Sequence, residues 1–171
     1  MSNRTAEEGP TREDPQRASF LARAPVVELA WLVSAAAVAA GIGVLLPWAD
    51  TVRGTGPATS THGTGTEWSG SVVLALAVLA ALVGAAVALR VVRPRWVGLA
   101  ALLGLAALGI LNWQLVAFGD RFHELEDRTR GRSTGHIAGG LWLSIVAEVV
   151  VIALSAVVVL RSSRSARRQE P

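Results

Sequence analysis

Polar segments divide the chain into four apolar runs, each long enough to cross a bilayer. The runs are "VVELAWLVSAAAVAAGIGVLLP" at 26–47, "SVVLALAVLAALVGAAVAL" at 71–89 and "WVGLAALLGLAALGILNWQLVA" at 96–117. The fourth, at 137–160, contains "LWLSIVAEVVVIALSAVVVL". A helix rises 1.5 Å per residue, so about 20 apolar residues cover about 30 Å of hydrocarbon. Helices of soluble proteins keep a polar face, and these runs lack one. The sequence therefore predicts an all-α membrane protein. Its membrane domain over 26–160 is a four-transmembrane-helix bundle, flanked by a polar tail at 1–25 and a basic tail at 161–171.

Composition follows from this pattern. Charged residues make up 17% of the chain and apolar residues 51%, against about 25% charged in a soluble domain. The charges gather in the segments between the runs. There is no cysteine, which excludes disulfides and thiolate metal sites. All 16 basic residues are arginine. With the abundance of Ala, Val and Gly, this indicates a GC-rich genome such as an actinobacterial one. Net charge is +3, but the arginines sit beside apolar runs. They read as topology determinants rather than as a nucleic-acid surface.

Arginine placement sets the orientation. With the N-terminus inside, the cytoplasm holds Arg4, Arg12, Arg17, Arg23, the turn Arg90, Arg93 and Arg95, and the tail Arg161, Arg164, Arg167 and Arg168. Arg53, Arg121, Arg128, Arg130 and Arg132 then lie outside. The positive-inside rule thus places both termini in the cytoplasm of a plasma-membrane protein. The turn and tail arginines are also the expected contacts to lipid headgroups. The first run, about 22 residues behind a mixed-charge leader, exceeds a signal-peptide core and reads as a permanent anchor. The six tryptophans fall near span ends. Trp31 and Trp96 are expected as an inner interfacial belt, and Trp48, Trp68, Trp113 and Trp142 as an outer one.

The polar segments differ in kind. Residues 1–25 lack apolar periodicity and read as disordered. The Gly/Thr-rich stretch after Trp48 cannot sustain a helix and reads as a hairpin or a linker. In "FGDRFHELEDRTRGRSTGH", Glu124 precedes Arg128 by four residues and Glu126 precedes Arg130 by four. That order favours a helix continuing from the third run to about Arg130. Within the runs, Ala35, Ala39 and Gly43, then Ala80, Gly84 and Ala88, then Ala100 and Gly104, offer small residues for close helix approach.

Glu148 is the one ionisable residue deep in the fourth run. A central charge costs about 2.5–3.5 kcal/mol on the insertion scale, which the surrounding Leu, Ile and Val residues offset. Gly140, Ser144, Glu148 and Ser155 fall near one helical stripe, which should face the bundle interior. As a neutral acid Glu148 can donate one hydrogen bond. Ser144, one turn away, and Ser34 of the first span are the expected partners, with Asn112 too near the outer surface. Two roles follow for this stripe: hydrogen-bonding glue between helices, or a proton or cation site. Glu28 sits at the inner mouth of the first span with no special role.

No phosphate-binding loop, nucleophile elbow or catalytic acid pair is visible. His62, His123 and His136 share the outer side with Asp50, Glu67 and Asp120, but without ligand-pair spacing, so no metal and no cofactor are expected. "LLPW" closing the first span, the Gly/Thr-rich outer loop, "EWSG" opening the second and "GGLWLS" opening the fourth resemble a loose group of small four-span actinobacterial membrane proteins. The tryptophan-operon-associated membrane proteins are distantly similar. The resemblance covers about 26–160, implies a four-span fold there and supplies no enzymatic activity to carry over. The expected function is that of a non-enzymatic accessory or interaction subunit, whose partners are the bilayer and another membrane protein or further copies of itself. Its contact surface would comprise the outer tryptophans, Phe118 and Phe122. The alternative is a small oligomeric proton- or cation-coupled transporter using Glu148.

Overall fold

The computed structural model describes residues 26–53, 60–65 and 69–167. The 1–25 tail, Trp68 and Arg168 lie outside them. Four long helices dominate. Helix α1 is Val26–Leu45, α2 is Gly70–Ala88, α3 is Val97–Thr129 and α4 is Gly139–Arg167. A short 3₁₀ turn, Pro94–Trp96, leads into α3. All four helices are long and apolar enough to cross a membrane. Each packs against its chain neighbours and α4 closes against α1, completing a four-helix ring. The start of α1 and the end of α4 therefore share one end of the bundle, here called the inner end, with the α2–α3 turn.

Many interior positions are small, and many large apolar side chains face outward. The interior contains Ala30, Ala37, Ala40, Ala77, Ala80, Ala100 and Ala107, while Leu82, Leu102, Leu105 and Val146 are exposed. Lipid tails solvate leucine as well as a core does, so helix pairing there depends on close approach of small residues. Two crossings show it. A Cβ added at Gly84 would lie 2.9 Å from the Ser34 nitrogen, and one at Gly140 would lie 2.8 Å from the Gly43 oxygen. The stripes read from spans two and three are buried: Ala80, Gly84 and Ala88, with Ala100 and Gly104. The first span differs. Ala35 is exposed and Ala39 half-buried, whereas Ala30, Ser34, Ala37 and Gly41 face inward beside Gly43. Contact with two neighbours, α2 and α4, broadens the buried face beyond one stripe.

The all-α expectation describes the spans but misses what lies at their outer end. Strands β1 (Pro47–Arg53), β2 (Ser60–Thr64) and β3 (Ser133–Ile137) form a sheet in the order β2-β1-β3. Both pairings are antiparallel, Asp50 standing opposite His62 on one side and His136 on the other. The first outer segment is thus a hairpin, and its first strand also pairs with the segment before α4. Pro47 and Ile137, counted with the spans by their apolarity, belong to strands.

Helix α3 does continue beyond the membrane-length run. Its 33 residues span about 50 Å, some 20 Å more than the hydrocarbon layer. It ends where Arg130 turns left-handed (φ 51°) and Gly131 follows (φ 74°). Arg128 pairs with Glu124 on the exposed face. Glu126 and Arg130 form no ion pair among the described residues, because Arg130 has already left the helix. The added turns carry Phe118 and Phe122, whose rings stack 6.0 Å apart. Phe122 lies over Gly135 of β3, where a Cβ would overlap its ring. Phe118 is buried, so this pair fastens the sheet to α3 and does not form the outward contact surface read from the sequence.

Trp48 is the other correction. It lies at the outer end, as expected, but it is wholly buried and not part of an interfacial belt. Its Nε1 donates to the Gly43 oxygen at 3.0 Å, and its backbone oxygen accepts from Ala138 N at 2.9 Å. Gly65 and Gly70 leave the space its ring fills. Replacing Trp48 by phenylalanine keeps most of the apolar contact and removes the ring donor. A loss of about 1 kcal/mol is expected from the missing hydrogen bond, read as a lower unfolding midpoint in detergent.

Candidate functional site

The candidate site is the polar interior of α4. Ser144, Glu148 and Ser155 are all fully buried, as their spacing on one side of the helix requires. The Glu148 side chain points at α3. Its Oε2 lies 3.0 Å from where a Cβ on Gly104 would stand, beside Ile152 and Val151. Glycine at 104 therefore makes the room in which the carboxyl sits.

Neither partner expected for Glu148 serves it. The Ser144 hydroxyl lies 3.1 Å from both the Ala40 and Gly140 oxygens, so its single proton bridges α4 to α1 or back to its own preceding turn. The Ser34 hydroxyl donates to Ala81 O of α2 at 2.9 Å. Both serines satisfy carbonyls at the closest crossings and leave none of their protons for an acid. Neither carboxyl oxygen of Glu148 has a hydrogen-bond partner, and neither does the Ser155 hydroxyl. The arrangement is a sealed acid in an apolar niche, linked to no serine. Unpaired buried polar groups cost about 1–3 kcal/mol each, so such a residue requires a reason.

A second polar contact was not legible as a site. Gln114 of α3 is buried and its Nε2 donates to the Ser69 hydroxyl, at the start of α2. This joins α2 to α3 near their outer ends. Its signal in the sequence is a lone amide within an apolar run, seven residues after buried Ala107 and so on the same helical face. Asn112, by contrast, is exposed and lines a groove of about 400 Å³ between α3 and α4, with Leu105 and Trp142.

The remaining predicted residues stand apart from this interior. Trp31, Trp96, Trp113 and Trp142 are exposed on the helix exterior. Arg90, Arg93, Arg95 and Arg164 are exposed at the inner end, and Arg161 is partly buried. The side chains of Arg167 and Arg168 lie outside the described residues. His123 and His136 are exposed, on α3 and β3. Among the described residues no group of three His, Cys, Asp or Glu could hold a metal ion. Comparison with protein-family models, curated proteins and solved structures gives no match.

Proposed function

We propose that this multi-pass protein is a non-enzymatic accessory or interaction subunit of the plasma membrane, with both termini in the cytoplasm. The observation that carries the proposal is a lateral groove between α1 and α2, about 380 Å³ in volume. Its floor is Ser34, Ala37, Gly41, Ala77 and Ala81, and its rims are exposed Val38 and Leu82. A transmembrane helix packs where small residues let its backbone approach, and these five supply such residues from both helices, with the larger Leu74 beside Gly41. The outer sheet supports the same reading. It ties the α1–α2 connection to the α3–α4 connection, and a scaffold that presents one face to a partner needs such a brace.

A photo-crosslinking residue at Val38 should capture one discrete membrane partner in native membranes, while one at exposed Leu102 on α3 should not. Equal capture at both positions, or at neither, removes the reading. A reporter fused after Pro171 should be active only in the cytoplasm.

Glu148 favours a second reading, a small oligomeric proton- or cation-coupled transporter. The support is its two unpartnered oxygens at mid-span. The acid lines neither the α1–α2 groove nor the α3–α4 groove, which is why the first reading is preferred.

A further inference from the structure

The inner end carries a feature that the accessory role does not use. Helix α2 closes with Arg90 N donating to Val87 O at 3.0 Å and Val91 N to Ala86 O at 2.9 Å. This pair of bonds is the Schellman closure, which places its C′ residue in the left-handed region. Here that residue is Arg90, at φ 59°. Glycine holds this conformation without steric cost and arginine does not. Arg130 closes α3 in the same way, so strain alone assigns no role; what distinguishes Arg90 is the cavity beside it.

That side chain borders a cavity of about 520 Å³ between the start of α1 and the α2–α3 turn. Val26, Val27, Val87 and Val92 line it, together with Arg90 and Arg93. Neither arginine has an ion-pair partner among the described residues. Glu28, the acid of the first α1 turn, pairs with neither. The cavity is therefore apolar along its wall and doubly cationic beside it, at the level where a bilayer changes from hydrocarbon to headgroups.

We propose that this cavity holds one anionic phospholipid, its phosphate held by Arg90 and Arg93 and an acyl chain lying along the valines of α1 and α2. Guanidinium groups match phosphate oxygens in bidentate geometry, which a diffuse basic surface does not provide. The valine wall favours a lipid over a soluble phosphate, whose remaining bulk would face apolar side chains. The inference rests on these helices crossing a membrane. It does not depend on the α1–α2 groove, so failure of partner capture leaves it standing.

The test uses the full chain in phosphatidylcholine nanodiscs containing about one-tenth phosphatidylglycerol, with retained lipid counted by native mass spectrometry after release. The wild type should keep one phosphatidylglycerol. Arg90→Gly and Arg93→Gln should each reduce its retention about tenfold, the loss of a hydrogen bond to a charged group. Arg90→Gly should melt no lower than the wild type without anionic lipid, because glycine suits the closure. If it fails to fold, Arg93→Gln alone decides. Retention at the bulk lipid ratio, or unchanged retention in a folded variant, overturns the site. So does a tenfold gain in lipid when Glu7, Glu8, Glu13 and Asp14 are changed to amides in the full chain, since carboxylates of the mixed-charge N-terminal segment would then be the occupant.

Discussion

Replacing Gly140 by alanine should cost about 2–3 kcal/mol, the upper part of the range for overpacking a core. The added methyl would lie 2.6 Å from the Pro47 oxygen, 2.8 Å from the Gly43 oxygen and 2.8 Å from the Leu46 Cβ. Two of these are backbone atoms at the junction of α1 and β1, so no side-chain rotation relieves the contact. Helix α4 must move out, and two further bonds depend on its position. The Ser144 hydroxyl bridges to Ala40 O, and Ala138 N, next to the start of α4, donates to Trp48 O. The loss should appear as a lower unfolding midpoint in detergent. Gly109→Ala is the control. Nothing lies within 4 Å of a Cβ there, and helix propensity alone should raise stability by up to about 1 kcal/mol. Equal behaviour of the two variants would mean that α1 and α4 do not meet at Gly43 and Gly140.

These contacts separate what the sequence carries from what it hides. The four helices follow from run length alone, because a membrane-length apolar segment has few other options. The continuation of α3 to Thr129 followed from charge spacing, of which Glu124 and Arg128 form the pair. The β1–β2 hairpin was one of two readings of the Gly/Thr-rich segment, but the three-stranded sheet made by adding β3 was not legible. Its strands are five to seven residues long, β2 and β3 are rich in Gly, Ser and Thr, and β3 lies about 80 residues from β1. No local pattern announces a pairing made by topology. Trp48 was misread for a related reason: a tryptophan near a span end fits an interface, and only the gaps at Gly65 and Gly70 make it a core residue. The serines were misassigned because sequence spacing compares side chains with side chains. Ser34 and Ser144 found carbonyls on neighbouring helices, exposed there by close backbone approach. Glu148 was legible as a buried acid, but its companion Gly104 was read only as a packing residue.

Exchange of Glu148 for methionine should stabilise the protein by about 1–3 kcal/mol, the desolvation cost of an unpaired buried polar group. Methionine is unbranched and of similar length, so it can occupy the niche beside Gly104 without strain, and it presents nothing that needs a partner. Glu148→Gln should give no such gain, because the amide brings two donors to a place where neither oxygen of the acid finds a partner. A hydrogen-bonding glue would show the reverse order, with methionine the less stable variant. The two proposed functions separate on the same pair. An accessory subunit should keep its partner in both variants, and the methionine form should simply melt higher. A transporter retains an acid at this cost because the proton must leave, so both variants should lose ion flux in reconstituted vesicles while remaining folded. Stabilisation with function intact would leave Glu148 as a tolerated burden and end the transport reading. Stabilisation with flux abolished would make the unpaired acid the working part and end the accessory one.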